Sequence, residues 1–195
     1  MKTVKIKITF NSPVILGFFA LCLAAFVLNS IFPGGSVNHT FFSVYRASLA
    51  DPLTYLRFFT HVLGHADWSH LLGNMMLFLV LGPIMEEKYG SMNMLFVILV
   101  TALVTGLVQF IFFPGTGLLG ASGIVFMLIL LSGFVNFKDG EIPVTLILVA
   151  LFYIGGQIYQ GIASSDNVSQ LTHVIGGLSG SCFGYIMNKN KMNKY

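Results

Sequence analysis

The chain has 195 residues, of which 55% are hydrophobic and only 9% are charged, and its formal net charge is +3. Soluble domains carry about 25% charged residues, so this composition excludes an ordinary soluble domain and indicates a single-domain membrane protein. So small a net charge also gives no indication of nucleic-acid binding. Cys22 and Cys182 lie in apolar runs without metal-ligand spacing, and we interpret them as small core residues.

Six apolar segments follow one another along the chain. A helix needs about 20 residues to cross the hydrocarbon core of a bilayer, and most of these segments are long enough. The sequence therefore predicts an all-α membrane protein, a bundle of six transmembrane helices formed by one domain over residues 1–195. The predicted spans cover approximately residues 13–32, 69–85, 92–113, 121–137, 143–159 and 171–187.

The loop charges predict the orientation of this bundle. If six helices alternate across the membrane, eight lysines fall on one side, and only Arg46 and Arg57 fall on the other. Because cytoplasmic loops carry an excess of Lys and Arg, both termini are predicted to lie in the cytoplasm. The eight residues are Lys2, Lys5, Lys7, Lys88, Lys138, Lys189, Lys191 and Lys194.

Residues 1–30 also resemble a cleaved signal peptide, because a basic start precedes an apolar run. The run of about 20 residues is long for a signal peptide, whose apolar region has about 7–15 residues. Its removal would also place the two lysine-bearing termini on opposite sides. A retained first span is therefore the favoured interpretation.

The fourth segment is unusual because it follows a helix-breaking stretch, residues 113–117. A helix from Ser122 to Phe137 would be about 24 Å long, which is shorter than the bilayer core. Irregular backbone below the membrane surface is tolerated only where protein covers it or a cavity wets it. Ser122 is therefore predicted at the floor of a cavity, at a helix N-terminus that favours a developing anion.

Small residues on the sixth segment lie on one helical face with His173, and a matching stripe on the fourth segment contains Ser122. Docking these stripes would place a hydroxyl beside an imidazole at membrane depth, a combination that favours nucleophilic chemistry. The same features also fit a packing patch beside a structural histidine. The two stripes are His173, Gly176, Gly180 and Gly184, and Ser122, Phe126 and Gly133.

A third cluster lies at the start of the second segment. Asp67 or Ser69 is a plausible helix cap, and His70 and Asn74 then share a face one turn apart. Both side chains can donate hydrogen bonds to an oxyanion, and His65 could orient its neighbours.

A metal site is an alternative explanation of this cluster, because His61 and His65 are four residues apart and Asp67 and His70 are close by. The spans hold no second carboxylate or cysteine cluster that would complete such a site. A purely structural histidine network remains a further alternative.

Taken together, these residues resemble the rhomboid family of intramembrane serine proteases over about residues 55–185. The motif residues appear in the same order, on the second, fourth and sixth spans. They are His65-x4-His70-x3-Asn74, Gly120-x-Ser122-Gly123 and His173-x2-Gly176-x3-Gly180, with Arg57, Glu86 and Gly106-x2-Gln109 as further matches.

The resemblance implies a catalytic dyad in which Ser122 is the nucleophile and His173 the general base, with no aspartate. It implies that His70, Asn74 and the backbone N–H of Ser122 hold the oxyanion, and that His65 is structural. Residues implied to support the site are Phe126, Gly120, Gly123, Gly176 and Gly180. Three residues depart from the family pattern, namely Thr172 for alanine, Phe126 for tyrosine and Leu56 for tryptophan.

The resemblance implies an enzyme without cofactors or metal that cleaves transmembrane protein substrates in the lipid bilayer, most simply in the inner membrane of a bacterial cell. The alternative function is a non-catalytic rhomboid-like binder of membrane proteins. Such relatives typically lack the serine or the histidine, whereas this chain has both. A six-helix transporter is less favoured, because no charged or broken-helix pairs recur in the two halves.

Overall fold

The computed structural model describes residues 9–32, 34, 36–135, 141–163 and 167–192. Most of these residues form α-helices, and an isolated β-bridge joins Val44 to Leu118. A 3-10 turn, His61–Leu63, follows the third helix. The helices are α1 (Pro13–Ile31), α2 (Ser36–Phe41), α3 (Pro52–Thr60), α4 (Trp68–Tyr89), α5 (Ser91–Phe112), α6 (Ser122–Gly133), α7 (Val144–Ala163) and α8 (Asn167–Met192).

Every predicted apolar segment overlaps one of these helices, and α2 and α3 lie between the first two segments. Among the described residues, α1, α4 and α5 are long and apolar enough to cross a membrane, while α6 and the first part of α7 are shorter apolar helices. The all-α class is therefore confirmed for the described chain, and the count of six spans stays a prediction. The orientation also stays a prediction, because Lys88 alone of the eight lysines has a described side chain.

Helix α1 begins at Pro13, as the sequence predicts, and the preceding residue, Ser12, makes no side-chain cap. The cap comes from Glu86 near the end of α4, whose two carboxylate oxygens accept the N–H groups of Val14 at 3.1 Å and Ile15 at 3.0 Å. Glu86 also accepts the hydroxyl of Ser91 at 2.6 Å. One buried carboxylate thus joins the start of α1 to the junction of α4 and α5.

Helix α6 lies at the centre of the bundle. It is apolar on all sides, and eight of its 12 residues are buried, which is the pattern of a helix enclosed by others. It ends at Gly133 rather than at the predicted Phe137. Lys88 donates to the carbonyl oxygens of Phe134 and Val135 just beyond this end, so a side chain from α4 caps the shortened helix. At 12 residues α6 is only about 18 Å long.

The glycines of α8 lie directly against the backbone of α6. A Cβ atom on Gly176 would be 2.1 Å from the carbonyl oxygen of Gly123, and one on Gly180 would be 2.1 Å from that of Met127. The predicted stripe on α8 is therefore confirmed as a close helix contact. The matching stripe on α6 is wrong at Gly133, which packs against Leu146 of α7.

Candidate active site

Ser122 is the first residue of α6, and the segment that leads to it is held at two points. Val44 and Leu118 exchange two backbone hydrogen bonds of 2.9 Å, and the N–H of Gly120 donates to the carbonyl oxygen of His61 at 2.9 Å. Gly120 has a φ of +128°, a conformation that residues with a side chain rarely adopt. The glycine at this position therefore allows the turn that places Ser122 at the helix start.

Ser122 and His173 line the same cavity, which has a volume of about 330 Å³. Both residues are only partly buried, so the cavity leaves them accessible. Its other polar side chains come from α4, and its remaining walls are apolar, including Leu77, Leu118 and Val125. The polar residues that line it are Ser69, His70, Asn74, Ser122 and His173.

The imidazole of His173 stacks on Phe126. Their ring centres are 4.4 Å apart and the planes differ by 7°. Phe126 lies one helical turn after Ser122, so this stack holds the imidazole on the same side of α6 as the serine. The phenylalanine that replaces the family's tyrosine thus keeps the ring contact.

His70 and Asn74 lie against Gly120, two residues before the serine. A Cβ atom on Gly120 would be 2.7 Å from Nε2 of His70 and 3.9 Å from Nδ2 of Asn74. The amide of Asn74 donates one N–H to the carbonyl oxygen of His70 at 3.1 Å, which leaves its second N–H for another acceptor. Asp67 caps α4 by accepting the N–H of His70 at 2.8 Å, as predicted.

His65 is completely buried behind His70, with ring centres 5.1 Å apart and planes at 67°. Its Nδ1 lies 3.1 Å from the carbonyl oxygen of Leu63, and its own carbonyl oxygen accepts the amide of Asn38 at 2.9 Å. Burial, and next the charge of His70, lower the pKa of His65 from 6.5 to about 4. The ring is therefore neutral at pH 7, and it packs against the ring of His70.

His61 is buried, and the structure gives it a positioning contact that the sequence did not predict. Its ring lies between the carbonyl oxygen of Arg57, 3.1 Å from Nδ1, and the hydroxyl of Thr105, 3.3 Å from Nε2. Burial lowers its pKa from 6.5 to about 4. Since its carbonyl oxygen holds Gly120, His61 links α3 and α5 to the backbone before Ser122. No sequence signal identifies such a backbone contact.

Three groups of the suggested metal cluster have their own hydrogen-bond partners, and the ring of His65 also packs against that of His70. His61 contacts Arg57 and Thr105, His65 contacts Leu63, and Asp67 caps α4. In the described part of the chain, no three His, Cys, Asp or Glu side chains come together as ligands. These contacts give His61, His65 and Asp67 packing and capping positions, whereas His70 lines the cavity that Ser122 and His173 share.

Comparisons with known proteins identify the family of the chain. The family model of the Rhomboid domain matches residues 52–190. The chain is 31% identical to mouse Rhomboid-related protein 2 over 158 residues, which cover 70% of this chain and 52% of that protein. It is 26% identical to Rhomboid protease GlpG of Haemophilus influenzae over 148 residues, which cover 70% of this chain and 72% of that protein.

The chain is also 30% identical over 145 residues to a nematode protein, Rhomboid-related protein 1 of Caenorhabditis elegans. The match covers 40% of that protein. The chain thus spans about half the length, or less, of these two animal relatives. The matched domain nevertheless includes every residue of the candidate site, from His65 to Gly180. The chain is therefore an integral membrane protein that belongs to the rhomboid family.

Proposed function

We propose that this protein is an intramembrane serine endopeptidase that cleaves transmembrane segments of other proteins with a Ser122–His173 dyad. The observation that carries this proposal is the cavity in which a serine at a helix N-terminus and an imidazole stacked on Phe126 both lie. A serine hydroxyl is a weak nucleophile without an adjacent base, and an imidazole can supply that base near neutral pH.

In the proposed reaction, Oγ of Ser122 attacks the carbonyl carbon of the scissile peptide bond while His173 takes the hydroxyl proton. His173 then gives this proton to the leaving amine, which departs as the peptide bond breaks and leaves an acyl-enzyme ester. Water entering the cavity attacks the ester, its proton passes to His173, and the proton returns to Ser122 as the acid product leaves. The stack on Phe126 keeps the imidazole oriented through both steps.

The oxyanion formed in each step needs donors beside Ser122. The ring of His70 and the free N–H of Asn74 lie next to the Gly120 backbone. The N–H of Ser122 is one of the first four amides of α6, which have no acceptor within their own helix. These three donors, at the positive end of the helix dipole, can stabilise the developing charge.

The substrate class follows from the location of the site on a membrane-embedded bundle. Peptide bonds in a helix are shielded by backbone hydrogen bonds, so a substrate span needs helix-weakening residues near the cut and a small residue before it. The cytoplasmic location of both termini, and the inner membrane of a bacterial cell, remain parts of this proposal that the loop lysines and the bacterial relatives favour.

Labelling with a fluorophosphonate probe tests this proposal directly. We expect the purified protein in detergent to be labelled at Ser122, because the probe reacts with a serine activated by a base. His173→Ala should be labelled far more slowly, and Ser122→Ala not at all. An unlabelled wild-type protein that still binds transmembrane partners would instead support the non-catalytic rhomboid-like binder.

Removing one proposed oxyanion donor should mainly slow the chemical step. We expect Asn74→Ala to lower kcat by about 10²–10³-fold with a smaller change in KM, because the lost bond strengthens in the transition state. His70→Ala should do the same. If the donors act as one unit, the double variant should lose less than the product of the two single losses.

The matched control for this experiment is Asn93→Ala. Asn93 also donates its amide to a carbonyl one helical turn earlier, that of Tyr89 at 2.8 Å, but it is exposed and does not line the cavity. Its kcat should remain that of the wild type in proteoliposomes. A wild-type kcat for Asn74→Ala would remove Asn74 from the oxyanion site, and chelator-sensitive activity together with an active Asn74→Ala would favour metal.

A further inference from the structure

A second polar cavity lies on the other side of the 117–119 segment from the candidate active site, and Leu119 lines both cavities. Its volume is about 360 Å³. One wall is formed by α2 and the loop after it, and the opposite wall is formed by residues 114–119 between α5 and α6. The Val44–Leu118 bridge joins the two walls, so the cavity is a formed feature of the fold.

The side chains around this cavity are hydrogen-bond donors. Arg46 supplies a guanidinium, His39 an imidazole, and Ser43, Tyr45 and Thr116 supply hydroxyl groups. None of the nine residues described as lining the cavity is acidic. A concave site with a fixed positive charge and no carboxylate is suited to an anion.

Contacts outside the cavity hold two of these donors in place. Nη1 of Arg46 donates to the carbonyl oxygens of Phe110 and Ile111 at 3.4 Å, and its guanidinium lies 5.4 Å from the centre of the Phe110 ring. These bonds leave Nε and Nη2 of Arg46 for another acceptor. The imidazole of His39 stacks on Tyr45 with ring centres 4.6 Å apart.

The depth of the cavity indicates where the anion comes from. Arg46 is bonded to the last turn of α5, which is long and apolar enough to cross the membrane and ends at Phe112. Ile111 and Phe112 are 53% and 66% exposed, so apolar surface suited to acyl chains lies directly beside the basic cavity. Residues just beyond the end of a span lie in the headgroup layer of a bilayer.

We propose that this cavity binds the phosphate group of an anionic membrane lipid, with Arg46 as the charged ligand, His39 and Tyr45 as hydrogen-bond donors, and the acyl chains against the end of α5. This binding does not depend on the protease activity. It would also brace residues 114–119, the segment that leads into Gly120 and Ser122.

The test is native mass spectrometry of the purified full chain with added phosphatidylglycerol. We expect bound lipid to exceed that from phosphatidylcholine of the same acyl chains. Arg46→Gln should weaken phosphatidylglycerol binding by about tenfold, the usual effect of losing a hydrogen bond to a charged group. Lys2→Gln, which removes an equal charge from the terminus predicted on the opposite side, should bind as the wild type does.

A second pair of variants keeps the test independent of the bonds that Arg46 makes to α5. A Cβ atom on Gly117 would meet nothing closer than 3.9 Å, so both Gly117→Asp and Gly117→Asn fit the fold. The two side chains have the same shape, but only aspartate places a negative charge in the cavity. Gly117→Asp should lose the lipid and Gly117→Asn should keep it. Equal binding of phosphatidylglycerol by these two variants would overturn the proposal.

Discussion

Replacing Ser122 with alanine should abolish cleavage of a transmembrane substrate in proteoliposomes, with a loss of at least ~10⁴-fold in kcat. The proposed reaction uses the hydroxyl of Ser122 as its only nucleophile, and the other hydroxyl that lines the cavity, that of Ser69 on α4, takes no part in it. The substitution removes only one oxygen atom from a partly buried residue, so thermal unfolding should remain close to that of the wild type.

Ser132→Ala is the matched control for this prediction. Ser132 lies on the same helix, is also partly buried, and donates its hydroxyl to the carbonyl oxygen of Ile129 at 2.7 Å without lining the cavity. It should cleave at the wild-type rate. If Ser122→Ala cleaves as fast as Ser132→Ala, Ser122 is not the nucleophile and the dyad is wrong.

The sequence predicted the helices well because a helix that crosses a bilayer must be a long apolar segment, and such segments can be read directly from the hydrophobic pattern. It also predicted the start of α6 at Ser122, since residues 113–117 exclude a continuous helix. These features could be predicted from residues that are close together in the chain. Such residues are helix breakers, caps such as Asp67 and glycine stripes.

The features that the sequence did not predict depend on residues far apart in the chain. Glu86 caps α1 from 71–72 positions away, and Lys88 caps α6 from 46–47 positions away. The carbonyl oxygen of His61 accepts the hydrogen bond that fixes Gly120, and because every residue has a backbone carbonyl, the sequence does not reveal this contact. Such contacts decide where a helix ends and how a loop is held, and they form only after the helices have packed.

Gly180 offers the strongest test of how the fold positions His173, the proposed catalytic base. We expect Gly180→Ala to lower the free energy of unfolding by about 3 kcal/mol, because a Cβ atom there would lie 2.1 Å from the carbonyl oxygen of Met127. Backbone atoms cannot move aside as a flexible side chain can, so α8 must shift away from α6. Unfolding is measured by heating the protein in detergent micelles.

The shift of α8 should also remove activity, although Gly180 does not line the cavity. His173 lies two turns earlier on the same helix, and its stack on Phe126 has ring centres only 4.4 Å apart, so a small displacement separates the base from the serine. Gly17→Ala is the control, since a Cβ atom on this glycine of α1 meets no atom within 4 Å. It should be as stable and active as the wild type. A stable and active Gly180→Ala would show that close approach of α6 and α8 does not set the position of His173.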